Sequence, residues 1–314
     1  MAIQTESRWV GAAIVAQSAE SLETVTVVSG SGVLEAGTVL GEAGWIAGRA
    51  VGSVAGTGNG TVSDVLTGPQ VLTGSYVLTC IATATHGGTF RVVAPDGSRL
   101  PDLVLTPGAG VATRYETDHI ALVVTDGSTD FALNDTITIV VSGTAPTVEG
   151  TGNGTISAIA LGPDAECGTY RYICTAAVAN GGRFEIVGPR SQSLGSYLLT
   201  VGAGAATVIR TRHLTATITD GTTDFAVGDT FRVVVSRSSY TLSAPYAPRT
   251  HDGRSRLLGV LYRRIDASTT AARATVLVRA GVVARGALTY TPALQTAEQA
   301  AAERALHARG IAVR

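Results

Sequence analysis

The sequence predicts a mainly β protein in which both chain ends build one small α+β base domain and two tandem β-sandwich-like repeats are inserted into it. Three observations carry this. Residues 56–142 recur as residues 150–236 at a constant offset of 94 positions, Gly56 aligning with Gly150, without a gap. Each copy is rich in short β-branched runs separated by Gly, Asp-Gly and Asn-Asp turn chemistry, the pattern of an all-β sandwich. The clearest helical stretch lies near the C-terminus, outside both copies.

The repeat is a whole small domain rather than a solenoid unit of roughly 20–50 residues. Gly56-Thr57-Gly58-Asn59-Gly60-Thr61 returns as Gly150-Thr151-Gly152-Asn153-Gly154-Thr155, Tyr76 as Tyr170, Cys80 as Cys174, and His119 as His213. Residues 61–66, 76–84, 89–94, 119–125 and 136–141 read as strands, and their counterparts likewise. The Gly87-Gly88 and Gly181-Gly182 pairs suit hairpin turns, because glycine reaches positive φ without steric cost. Phe90, Phe131, Phe184 and Phe225 read as core anchors.

Outside the repeats, residues 1–22 read as an arm ordered only where something holds it. Residues 24–28 form a strand, 29–32 a turn, and 37–41 a second short strand between glycines. Residues 44–54 carry Trp45 into the first repeat. Linkers at 143–149 and 237–253 contain Pro146, Pro245 and Pro248. Residues 257–262 and 274–278 are strands, with 266–270 turning between them. Thr291-Pro292 offers a helix start, residues 296–299 a capping-box alternative, and residues 299–308 an alanine-rich helix ended by Gly310. A last strand closes the chain at 311–314. The domains are therefore an arm at 1–22, a split base at 23–54 plus 248–314, and repeats at 55–143 and 149–237.

With a net charge of −1, the chain gives no electrostatic reason to expect nucleic acid or a membrane as partner. All 23 basic side chains are arginine. Three cysteines make neither a disulfide framework nor a metal-ligand spacing, which favours assembly in a reducing cytoplasm. The apolar run 9–16 lacks the basic flank of a signal peptide, and no segment approaches a membrane-spanning helix in length.

Asp126, Asp130 and Asp135, repeated as Asp220, Asp224 and Asp229, are candidate calcium ligands on loops. Their structural alternative is an Asp-Gly turn with the remaining carboxylates capping backbone amides. His119 and His213 read as structural, since neither has a nearby cysteine or second histidine to share a metal. Asn59-Gly60-Thr61 and Asn153-Gly154-Thr155 match the glycosylation sequon but also make a glycine-rich turn. The glycines at 56–60 precede no helix, so they form no phosphate-binding loop. No serine lies in a nucleophile elbow and no carboxylate pair is placed as acid and base, so the expectation is a non-enzyme without cofactor.

Gly30-Ser31-Gly32-Val33-Leu34-Glu35-Ala36-Gly37-Thr38-Val39-Leu40-Gly41 at one end resembles the tailed-phage head decoration proteins, the lambda-type capsid cement family. So do Gly259-Val260-Leu261-Tyr262, Asp266-Ala267-Ser268-Thr269-Thr270 and the closing helix and strand at the other. The resemblance covers roughly the first 50 and last 60 residues. It implies a homotrimer on the outer surface of the expanded capsid of a virion, bound to the major capsid protein at three-fold and quasi-three-fold positions. It also implies an N-terminal arm that adds backbone pairing to neighbouring subunits. Here Trp9, Val10 and Ile14 are the apolar arm residues that would make capsid contact. The sequence departs from the family pattern after Val15, and the double insertion is absent from the smallest members. An alternative is a fibre or adhesin-like protein whose repeats bind host-surface glycans.

Overall fold

The computed structural model describes residues 14–17, 21–162, 164–248, 254, 256–290 and 293–314. The protein is mainly β, with one α-helix among the described residues, Thr296–Ala308. It divides into two compact units, one formed by the two chain ends, up to Trp45 and from Tyr240, and the other by Ile46–Ser239.

Within the second unit each copy of the repeat holds two antiparallel sheets. In the first copy the larger sheet runs, in order, through the final part of Val39–Ala55, then Thr136–Ser142, Gly74–Ala84, Gly87–Val93 and Arg99–Leu105. The smaller one runs Thr61–Thr67, Ile120–Thr125, Ala112–Glu116. The second copy repeats these strands at the same offset: Gly168–Val178, Gly181–Val187 and Ser193–Leu198 follow the first part of Thr230–Pro245, and Thr155–Leu161, Leu214–Thr219 and Ala206–Arg210 form the smaller sheet. The edge position that seven residues, Arg49 to Ala55, take in the first copy is filled in the second by the two-residue strand Val148–Glu149.

Strand alternation makes the core. Ile137, Ile139 and Val141 are buried while Val140 between them is 42% exposed. Phe90 and Phe131 meet edge to face with ring centres 5.0 Å apart, and Phe184 and Phe225 repeat that geometry at 5.0 Å. In the second copy Phe231 replaces Ile137 and joins the cluster. The glycine-rich entrance is explained by the same rings: a Cβ on Gly58 would stand 2.6 Å from Phe131 Cδ1, and one on Gly60 2.5 Å from its Cζ. The two copies are joined within this unit by buried hydroxyls. Thr67 N donates to Thr169 Oγ1 at 2.8 Å, the two hydroxyl oxygens lie 2.9 Å apart, and Thr73 N donates to Arg237 O at 2.7 Å.

In the unit made by the chain ends, Leu22–Val27 pairs antiparallel with Ala272–Leu277 and parallel with Leu242 and Ser243. Ala272–Leu277 pairs in turn with Leu257–Leu261, which pairs with the start of Val39–Ala55. A second sheet joins Ile14–Gln17, Gly281–Val283 and Ile311–Val313. The helix buries Ala302 and Leu306 against Val39, Leu257, Val260, Leu277, Val283 and Ile311. Its start lies one residue before the expected capping box: Gln295 N donates to Glu298 Oε2 at 2.9 Å. The other expected start, Thr291-Pro292, lies outside the described residues. Gly310 at φ +75° follows the last turn.

Several elements differ from the sequence reading. Gly87 and Gly88 begin a strand, and the hairpin's left-handed position belongs to His86 at φ +51°, and to Asn180 at φ +52° in the second copy. Histidine and asparagine tolerate this region better than most residues, while Gly88 at φ +149° and Gly182 at φ +152° take up the positive φ that opens each returning strand. Asp266 lies in the short strand Ile265–Ala267, paired with Gly32–Leu34, rather than in a turn. The expected short strand at 37–41 is the beginning of the 17-residue strand Val39–Ala55. Within this strand Gly48 admits the backbone of Ser142 and Gly143, where a Cβ would collide.

Replacing Phe131 or Phe225 by alanine should each cost about 3–5 kcal/mol. The measurement is the denaturant midpoint of the full chain, and a shift below 1 kcal/mol for either would show that the ring pair is not the centre of its copy.

Candidate functional site

The repeated aspartates separate into two kinds. Asp135 is buried, and its carboxylate accepts hydrogen bonds from Thr57 N at 2.9 Å, Gly58 N at 2.8 Å and Ala132 N at 2.9 Å. Asp229 accepts from Thr151, Gly152 and Ala226 at 3.0, 2.8 and 3.0 Å. The amides of Gly58 and Thr57, helped by Ala132, hold the Asp135 carboxyl below the usual carboxylate range against an opposing effect of burial. For Asp229 burial is the largest influence and acts upward, but Ala226, Thr151 and Gly152 together carry it below the ordinary value. These two carboxylates are engaged by backbone amides, the capping alternative read from the sequence.

Asp126 and Asp130 lie at the mouth of the hairpin that ends at His86. Asp130 Oδ1 accepts from His86 N at 2.9 Å, and His86 Nδ1 lies 3.3 Å from both Asp126 Oδ2 and Asp130 Oδ1. One donor atom from each of the three residues falls within 4.8 Å of the others. Asp126 is 4% exposed, and its Oδ1 has no hydrogen-bond partner. In the second copy Asn180 N donates to Asp224 Oδ1 at 2.8 Å, but the imidazole is gone. Asp220 is equally buried, and the one group that favours its charged form is the Gly221 backbone amide. Burial first, and then Asp224, pushes the Asp220 carboxyl up. The sequence reading missed His86. The signal was present in the repeat, where this position exchanges histidine for asparagine between carboxylates that do not change.

The remaining candidates are occupied by structural roles. Tyr76 Oη accepts from Leu72 N at 2.7 Å and lies 3.3 Å from His119 Nδ1. Tyr170 Oη accepts from Glu166 N at 2.8 Å and lies 3.2 Å from His213 Nδ1. Burial lowers the pKa of His119, which favours the neutral ring. Asn59 Oδ1 accepts from Thr129 N at 2.9 Å and Asn153 Oδ1 from Thr223 N at 2.8 Å, so both sequon asparagines tie loops together. Cys80, Cys167 and Cys174 are buried thiols, and burial pushes those of Cys80 and Cys174 up.

Of the arm residues, Trp9 and Val10 lie outside the described residues. Ile14 pairs with Val283 and packs half-buried against the core that contains Leu306 and Ile311. Elsewhere in the same unit the Arg256 guanidinium stacks over Trp45 at 4.5 Å, a contact suited to an all-arginine chain. Among the described residues no helix is long and apolar enough to cross a membrane.

A family model described as Bacteriophage lambda head decoration protein D matches residues 3–311. Among solved structures, the flagellar hook junction protein FlgK from Burkholderia pseudomallei aligns over 67% of this chain and 43% of that one, at 12% identity and a TM-score of 0.22. That score is too low to carry an argument about fold or function. No curated protein matches.

Asp135→Asn should destabilise the protein by about 2–3 kcal/mol, the scale of losing hydrogen bonds to a charged acceptor. Unfolded aspartate titrates near about 3.9. Because the folded values of Asp135 and Asp229 are lower, their stabilisation is complete above that pH and is lost as pH falls through the lowered values. Chemical denaturation across this acid range should show a shallower fall in stability for Asp135→Asn than for wild type, and equal slopes would refute the assignment.

Proposed function

The chain belongs to the bacteriophage lambda head decoration protein D family, and from that premise we propose that it binds the outer surface of the expanded capsid as a homotrimer and cements it. It is a head decoration protein, a component of the phage virion that binds the capsid. The observation that carries the proposal is the family match over residues 3–311, together with the unit that the two chain ends build around a shared sheet.

Cementing needs affinity without chemistry, and the mechanism is avidity. Three arms on one trimer, each bridging neighbouring major capsid protein subunits, turn modest single contacts into slow release. An arm that adds a strand gains main-chain hydrogen bonds, with alternate side chains setting register. Ile14 is partly committed to its own unit, which makes it the root of such an arm and leaves Trp9 and Val10 as the capsid-facing residues. The repeats, inserted between Trp45 and Tyr240, project outward. The protein assembles in the host cytoplasm, acts without catalysis or cofactor, and has neither nucleic acid nor membrane as partner. The rival reading, repeats that bind host glycans, gains nothing from the largest aromatics. Tyr76, Phe90, Phe131, Tyr170, Tyr172, Phe184, Phe225 and Phe231 are core side chains, and the partly exposed Tyr197 has its hydroxyl donated to Arg210 O at 3.0 Å.

Cryo-electron microscopy of expanded capsids mixed with the protein should show density at three-fold positions with paired lobes pointing outward. Sedimentation of the free protein should give about three times the 31.9 kDa chain mass. Removing residues 1–13 should lower capsid retention at least about tenfold, since avidity multiplies each lost contact. Density on the tail, or a trimer retained equally without those residues, would count against the capsid-cement and arm assignments respectively.

A further inference from the structure

We propose that His86, Asp126 and Asp130 form a metal site in the first repeat that takes a borderline divalent cation of the zinc class. The inference rests on side-chain geometry and is independent of the capsid reading.

The three residues converge from two loops onto one point. His86 Nδ1 lies 3.3 Å from Asp126 Oδ2 and from Asp130 Oδ1. Neither separation is that of a strong charge-assisted hydrogen bond, which is about 2.7–2.9 Å. One Nδ1 hydrogen cannot serve both oxygens well. The spacing does suit two ligands on one ion: with metal–ligand bonds of about 2.0–2.1 Å, neighbouring corners of a tetrahedron stand roughly 3.3–3.4 Å apart. The second indication is the Asp126 side chain, 2% exposed, whose Oδ1 has no partner within the fold. A buried carboxylate oxygen left unmatched costs stability, and a cation on the same carboxylate would offset that cost.

The donor set selects the ion. One imidazole nitrogen and two carboxylates suit zinc and its first-row neighbours, with water completing the coordination on the side where His86 and Asp130 are 38% and 42% exposed. Calcium takes six to eight oxygen ligands, and Asp135, which the sequence grouped with the other two, is committed to three backbone amides. The second repeat supplies a control within the molecule, because Asn180 replaces the imidazole at the same left-handed turn position.

The test uses the untagged full chain, stripped with chelator and titrated with Co2+ and Zn2+. The expected result is one equivalent of Co2+ with visible d–d absorption, displaced by Zn2+ and insensitive to excess Ca2+. His86→Asn installs the residue that the second repeat already carries, so the turn is kept, and uptake should vanish. Asn180→His should raise the stoichiometry from one to two. Zn2+ should also raise the unfolding midpoint of wild type and not that of His86→Asn. A wild-type chain that takes up neither metal, a His86→Asn chain that takes up as much as wild type, displacement of Co2+ by Ca2+, or an Asn180→His chain that still takes only one equivalent would each overturn the site as drawn.

Discussion

Each repeat is closed by three backbone amides converging on one buried carboxylate. Asp135 draws Thr57 and Gly58 of the entrance to Ala132 of the loop before the last strand, segments more than 70 residues apart in sequence. Hydrogen bonds to a charged acceptor contribute about 1.5–3 kcal/mol, enough together to outweigh the cost of burying one anion. The rest of the repeat follows from this closure. It places Phe131 under Gly58 and Gly60, where no Cβ could fit, and Phe131 in turn sets the edge-to-face contact with Phe90. The same three amides, carboxylate and ring pair recur at Asp229 and Phe225, so the entrance motif repeated in sequence is a repeated mechanical device.

The unit formed by the chain ends depends on pairings across the whole insertion. Leu22 stands opposite Leu277, and Val25 opposite Ala274. Closing a chain over a longer insertion is cheap, because each doubling of loop length costs only about 0.6 kcal/mol. A second repeat therefore adds little to the entropy opposing this sheet. Burying one large aliphatic side chain contributes about 1.5–3 kcal/mol, and Val25, Val27, Leu40, Val276 and Leu277 are all at most 2% exposed. The base can accept a doubled insertion on these terms.

Period and repetition made the core strands legible. Thr136–Ser142 and Ile120–Thr125 carry β-branched runs that any half-buried strand requires, and the structure puts both within a residue or two of the expected bounds. Arg99–Leu105 and Ala112–Glu116 were not legible. Their exposed faces carry Arg99, Arg114 and Glu116, and Pro101 interrupts the first, so tertiary pairing rather than local preference makes them strands. The aspartates were legible as a group but not as individuals. Spacing marks a carboxylate-rich loop, whereas the direction of each carboxylate depends on which amides the folded backbone brings near it. Asp135 met three amides and Asp126 met an imidazole.

The repeat separates what the fold needs from what differs between the copies. Where the copies agree in residue and contact, as at Asp135 and Asp229, Tyr76 and Tyr170, or Asn59 and Asn153, the shared geometry is the requirement of the fold. At His86 and Asn180 the requirement is only the left-handed turn, which both residues meet. The imidazole is therefore surplus to folding. Where asparagine stands instead, Asp220 is buried without an imidazole, and its carboxyl is pushed toward the protonated form by burial and by Asp224. Two copies of one backbone thus hold the same carboxylate in different ways, one facing an imidazole and the other drawn toward a proton. The difference turns on a single side chain that the fold leaves free to vary.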